Sequence, residues 1–141
     1  MALTVEQFMT RTPLTIGQDQ SLGTAHRLMR QHSLRHLPVL EGGALVGVLS
    51  QRDLYLLEAL TDLDLELVPV SEAMTMEVDV VDPQTSLREV IATMEAKKIG
   101  STIVARGKKI VGIFTVVDAL RALQLLLDQP TVRSIAPASL L

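Results

Sequence analysis

The chain contains no cysteine and no tryptophan. Missing thiols exclude disulfides, thiolate metal sites and cysteine nucleophiles, and they fit a reducing compartment. Aromatic residues make up only 2% of the 141 positions, namely Phe8, Tyr55 and Phe114. The core must therefore be packed from Leu, Val, Ile, Ala and Met, and the ring platforms on which single-stranded nucleic acids stack are absent from the basic cluster described below. No stretch approaches the roughly 18 apolar residues needed to cross a bilayer, so no membrane association is expected. The first ten residues include Glu6 and Gln7 and lack the basic start and apolar run of a secretory leader. The cytoplasm is the expected location.

What is present is a chain that should fold. Hydrophobic residues make up 48% and charged residues 21%, too apolar for a disordered segment. The length is that of one compact domain, leaving no room for a separate catalytic domain. The net charge of −3 offers no general attraction to a phosphate backbone. Between Arg52 and Arg88 there are nine acids and no Lys or Arg, whereas Lys97, Lys98, Arg106, Lys108 and Lys109 cluster later. Solvated faces of opposite sign account for this, and nucleic acid is not an expected partner.

Sliding the sequence over itself reveals a repeat at an offset of 65 residues without a gap. Met9-Thr10 falls on Met74-Thr75, Ser21-Leu22 on Ser86-Leu87, Met29 on Met94, Val39 on Val104, Val46-Gly47 on Val111-Gly112 and Asp53 on Asp118. The division that follows is a first unit over 1–60, an exposed acidic connection over 61–69, a second unit over 70–128 and a loose tail over 129–141, with Pro130 ending the last helix.

Each unit reads as strand, helix, two strands and helix, a mixed α/β arrangement. Pro13 to Ile16 and Val78 to Val81 are the opening strands. Ser21 caps a helix with the apolar stripe Leu22, Ala25, Leu28 and Met29, and Ser86 with Glu89 opens its counterpart. Leu37 to Leu40 and Ala44 to Leu49 flank Glu41-Gly42-Gly43 as a hairpin, and Ser101 to Ala105 pairs likewise with Ile110 to Phe114. Leucine-rich helices close the units at Leu54 to Leu60 and Leu120 to Leu127. The recurring methionines at 9, 29, 74 and 94 read as core fillers.

Met-Thr at the start, Leu34-Arg-His-Leu-Pro-Val39 and Gly47-Val-Leu-Ser-Gln-Arg-Asp53, recurring in order, resemble the cystathionine-beta-synthase (CBS) domain family from about Val5 to Leu127. The resemblance implies two β-α-β-β-α motifs packed through their sheets as a pseudo-two-fold pair, with adenosine-containing ligands in the clefts. It also implies association of pairs into a homodimer.

Gly47-x-x-Ser50-x-x-Asp53 and Gly112-x-x-Thr115-x-x-Asp118 carry the candidate site. A helix N-terminus presents unpaired backbone N–H groups to a phosphate, the hydroxyl donates beside them and the carboxylate accepts from ribose. Helix capping alone accounts for both pairs equally well. By resemblance, Arg35 and His36 face phosphates and Thr12, Pro13 and Val78 line the base. Pro38 belongs to the same pattern. The second unit has Gly100, Ser101 and Ile103 where the first has Arg35, His36 and Pro38, so the phosphate is expected nearer the first. Asp79 is discordant, because a carboxylate repels phosphate and favours a less anionic ligand. His26 and His32 lack neighbouring carboxylates at ligand spacing, so no metal site is expected.

No nucleophile elbow, phosphate-cradling glycine loop or catalytic triad spacing is present. The expectation is a regulatory module, not an enzyme, with no required cofactor, that binds AMP, ADP or ATP and acts on an unidentified protein partner. The rivals are a dimerisation or docking module that binds no ligand, and a sensor of S-adenosylmethionine or NAD.

Overall fold

The computed structural model describes residues 3–129; Pro130 and the tail beyond it lie outside the described residues. Four helices and seven strands follow the repeat: β1 Thr10–Arg11, β2 Ile16–Gly17, α1 Leu22–His32, β3 His36–Glu41, β4 Ala44–Ser50, α2 Gln51–Leu60, β5 Val80–Val81, α3 Leu87–Lys97, β6 Ser101–Arg106, β7 Lys109–Thr115 and α4 Val116–Leu127. The α/β fold with paired units is as expected.

Local chemistry explains the shared elements. Ser21 Oγ accepts from the Thr24 amide and Ser86 Oγ from the Glu89 amide, each satisfying an orphan donor of α1 or α3. Both helices end on a left-handed residue, Ser33 (φ 53°) and Lys98 (φ 55°), whose amide bonds back into the last turn. The Gly42-Gly43 turn, with φ of 55° and 84°, supplies the two positive dihedrals that a tight hairpin requires.

The opening strands are shorter than expected. Pro13 has no amide to donate and Thr12 sits at φ 47°, so the chain joins the first sheet only at Ile16, which pairs in parallel with Val39. In the second unit only Val80–Val81 pairs, with Ile103 and Val104.

The sheets are β2-β3-β4 and β1-β7-β6-β5. Strand β1 therefore belongs to the other repeat's sheet: Thr10 and Arg11 pair with Ile113 and Gly112. Its counterpart makes a reciprocal bridge, Val48 to Thr75, with amide-to-carbonyl distances of 3.0 and 2.9 Å. The cores follow the same exchange. Val70, Ala73 and Met74 pack with Leu22, Leu37 and Leu54, while Val5, Phe8 and Met9 pack with Val90, Val104 and Phe114.

The motif glycines make this crossing possible. A Cβ on Gly47 would stand 2.9 Å from the Thr75 carbonyl oxygen, and one on Gly112 would collide with the Met9 side chain. The 61–69 connection is exposed at Asp62–Asp64 but not throughout. Val68 is buried in the first core, where its carbonyl accepts from the Leu22 amide, and Glu66 pairs with Arg27 and reaches Ser21. Apolar Leu65 and Val68 tie down a segment that its acids alone marked as solvated.

Candidate functional site

Helix α2 starts where the β3–β4 hairpin closes. His36 lies opposite Ser50 in the ladder, and the Gln51 amide donates to the Arg35 carbonyl at 2.8 Å. Arg35 and His36 are thereby fixed beside the first turn of α2. Ser50 Oγ satisfies the Asp53 amide at 3.0 Å, and the neighbouring N-terminal amides of α2 face the same side. A cavity of about 320 Å³ opens there, lined by Arg35, His36, Ser50, Gln51, Arg52 and Tyr55. Two guanidinium groups, an imidazole, a hydroxyl and a positive helix end suit an anion. Tyr55, one turn beyond Gln51 on the same helix face, presents a ring braced edge-on by His26 at 6.0 Å.

Burial pushes the His36 imidazole below the ordinary histidine range. Asp53 opposes that shift and the Arg35 charge reinforces it. The ring lies across Gly100 of the second repeat, where a Cβ would come within 3.0 Å of Nε2. Gly100 is thus the space that His36 occupies.

The candidate residues fall into two corners because of the segment exchange. Asp53 accepts one long hydrogen bond, from Thr75 Oγ1 at 3.4 Å, so the segment leading to Val78 borders the first corner. Thr10 Oγ1 donates to Asp118 at 3.0 Å, so Thr12 and Pro13 follow into the second corner with Thr115 and Asp118. Thr12 and Pro13 therefore follow β1 alongside β7 of the second repeat and do not line the cavity of Arg35 and His36. Pro38 is buried in β3 opposite Val48. Asp79 is neutralised by Lys97 Nζ at 2.9 Å. Gln51, Arg52 and Tyr55 went unnoticed in the sequence, although Arg52 lies inside the quoted motif and Tyr55 follows Gln51 at helical spacing. Among the described residues no group of three or more His, Asp or Glu could hold a metal ion, and no helix is long and apolar enough to cross a membrane.

The CBS domain model matches residues 5–58 and 70–125, covering both repeats. The chain belongs to the CBS-domain family. Among solved structures, this CBS pair is similar to the Vibrio cholerae protein AcuB, at 32% identity and a TM-score of 0.82, over 96% of this chain and 100% of that one. It shares the fold of the CBS domain pair of protein MJ0100, solved in complex with 5′-methylthioadenosine and S-adenosyl-L-methionine, at 24% identity and a TM-score of 0.78, over 88% of this chain and 98% of that one. Among curated proteins, it is 32% identical over 114 residues to inosine-5′-monophosphate dehydrogenase of Korarchaeum cryptofilum; the match takes in 80% of this chain but spans only 23% of that enzyme's length. Tandem CBS pairs form a family of regulatory ligand-binding modules.

Proposed function

We propose that this CBS pair is a cytoplasmic regulatory module, not an enzyme, that binds AMP, ADP or ATP at the first corner and works as a homodimer. The observation that carries the reading is the convergence of Arg35, His36 and Arg52 on the N-terminus of α2, beside an Asp53 whose carboxylate is almost unengaged. Phosphates sit against the cations and helix end, ribose hydroxyls donate to Asp53, and Tyr55 offers a face to the remainder.

S-adenosylmethionine is the second reading, favoured by the adenosine compounds in the MJ0100 complex. The cationic lining opposes its sulfonium, and Asp79, the sequence feature that suited it, is already paired with Lys97. The proposed dimer is supported by α4, where Val116, Leu120, Leu123 and Leu127 stand about half exposed in one stripe at 49%, 55%, 51% and 50%.

Thermal unfolding with AMP, ADP, ATP, S-adenosylmethionine and NAD tests the ligand reading. A ligand at about 100 times its dissociation constant adds roughly 2.7 kcal/mol of stability. An adenine nucleotide should raise the melting temperature of the wild type, and Asp53→Ala should abolish the rise. Silence from every adenosine compound would leave the module a docking protein.

A further inference from the structure

At the repeat offset, the six residues around the first cavity, Arg35, His36, Ser50, Gln51, Arg52 and Tyr55, correspond to Gly100, Ser101, Thr115, Val116, Val117 and Leu120. Both guanidinium groups, the imidazole and the ring are gone, and only the hydroxyls of Ser101 and Thr115 remain as polar side chains. One cation has come the other way: Arg121 stands where the first repeat has Leu56.

Arg121 is spent on Asp118. Oδ1 of Asp118 accepts from Arg121 Nη1 at 3.0 Å and from Thr10 Oγ1 at 3.0 Å. Oδ2 accepts from the Thr115 amide at 2.9 Å and the Thr115 hydroxyl at 3.2 Å. A carboxylate offers about four lone-pair positions, so Asp118, only 2% exposed, has none left for a ribose hydroxyl. Asp53, with its single 3.4 Å partner, has most of its capacity free.

We propose that the Thr10–Thr115–Asp118–Arg121 cluster is an internal latch that fastens the N-terminal segment to α4 and leaves the chain one ligand site in place of two. Thr10 is carried into the cluster by β1, and two residues on Thr12 is held at φ 47°, a left-handed conformation that β-branched side chains resist. The Thr12 amide donates to the Val111 carbonyl at 3.1 Å. The latch secures that strained turn. The one-site consequence rests on the nucleotide reading above, whereas the latch itself does not.

Two measurements on the full chain separate them. Hydrogen exchange at the Thr12 amide reports the latch, and AMP titration by calorimetry reports the number of sites. Thr10→Val and Asp118→Asn should each speed Thr12 exchange by about tenfold or more, the scale of losing a hydrogen bond to a charged group. AMP should bind once per wild-type chain, with an affinity that Thr10→Val leaves unchanged. Asp53→Asn should do the reverse, weakening AMP and leaving Thr12 exchange as it was. Two AMP molecules per wild-type chain would overturn the single site, and unchanged exchange in Thr10→Val, the milder variant, would overturn the latch. If AMP does not bind, the nucleotide reading falls and the exchange result alone decides the latch.

Discussion

Replacing Gly47 with Ala probes the crossing of the two repeats where the backbone has least room. The new Cβ would lie 2.9 Å from the Thr75 carbonyl oxygen and 2.8 Å from Met74 Sδ. The thioether can swing aside, but the carbonyl is held by the reciprocal bridge between Val48 and Thr75 at 3.0 and 2.9 Å. Relief requires the Thr75 strand to move, stretching two backbone hydrogen bonds worth about 1 kcal/mol each. Overpacking at a rigid site adds about 1–3 kcal/mol, so Gly47→Ala should cost about 3–5 kcal/mol in urea unfolding followed by circular dichroism. Gly17→Ala is the internal control: its Cβ meets only Gln20 at an ordinary 3.7 Å and its φ is not in the left-handed region. It should be neutral or stabilising by about 0.4–1 kcal/mol, since alanine restricts the unfolded chain. A Gly47→Ala loss below about 0.5 kcal/mol, or one no larger than that of Gly17→Ala, would refute the claim that the exchanged segments depend on these glycines.

Burial lowers the His36 pKa beneath the ordinary histidine value of about 6.5, so the unfolded chain binds that proton more readily than the folded one. The contribution of neutral His36 is complete above about pH 6.5 and declines as pH falls toward the folded pKa. His36→Gln should lose less stability than the wild type between pH 7.5 and pH 5, and parallel losses would contradict the assignment. For the dimer, Leu123→Glu places a charge in the centre of the α4 stripe; light scattering should give twice the chain mass for the wild type and the single chain mass for the variant, and a monomeric wild type would eliminate the homodimer.

The repeat, the helices and the hairpins were legible because their signals are local. Ser21 and Ser86 cap where the pattern puts them, and Gly42-Gly43 turns where two positive dihedrals are needed. The segment exchange was not legible. Thr10–Arg11 is two exposed polar residues, and nothing in their own chemistry announces a strand; they pair because Gly112, a hundred residues away, leaves space. The same holds for the cavity. Arg52 reads in isolation as a solvated helix charge, and only the hairpin that brings Arg35 alongside gives it a shared task. Gly100 looked like a lost cation, yet its missing side chain is what admits His36.

The exchange also bears on how a binding event at one corner can reach the rest of the molecule. Each motif aspartate is met by a threonine from the opposite repeat, Asp53 by Thr75 and Asp118 by Thr10. At Asp118 that junction is saturated by four hydrogen bonds and should be stiff. At Asp53 it is a single long bond beside an open cavity, so a ligand competing for the carboxylate must either displace Thr75 or share the group with it. Displacement loosens the second repeat's opening segment from the first repeat's helix, and sharing draws the two together. Under the proposed nucleotide reading, either outcome would give the liganded and empty states different inter-repeat contacts, and a switch follows only where those contacts make the ligand's affinity for the two states differ. A rigid junction at one corner and a yielding one at the other turns the pair into a hinge with a defined moving side. The four bonds at Asp118 against one at Asp53 come from Arg121, where the first repeat has Leu56, and from Thr115, whose amide and hydroxyl both reach the carboxylate while Ser50 only accepts from the Asp53 amide.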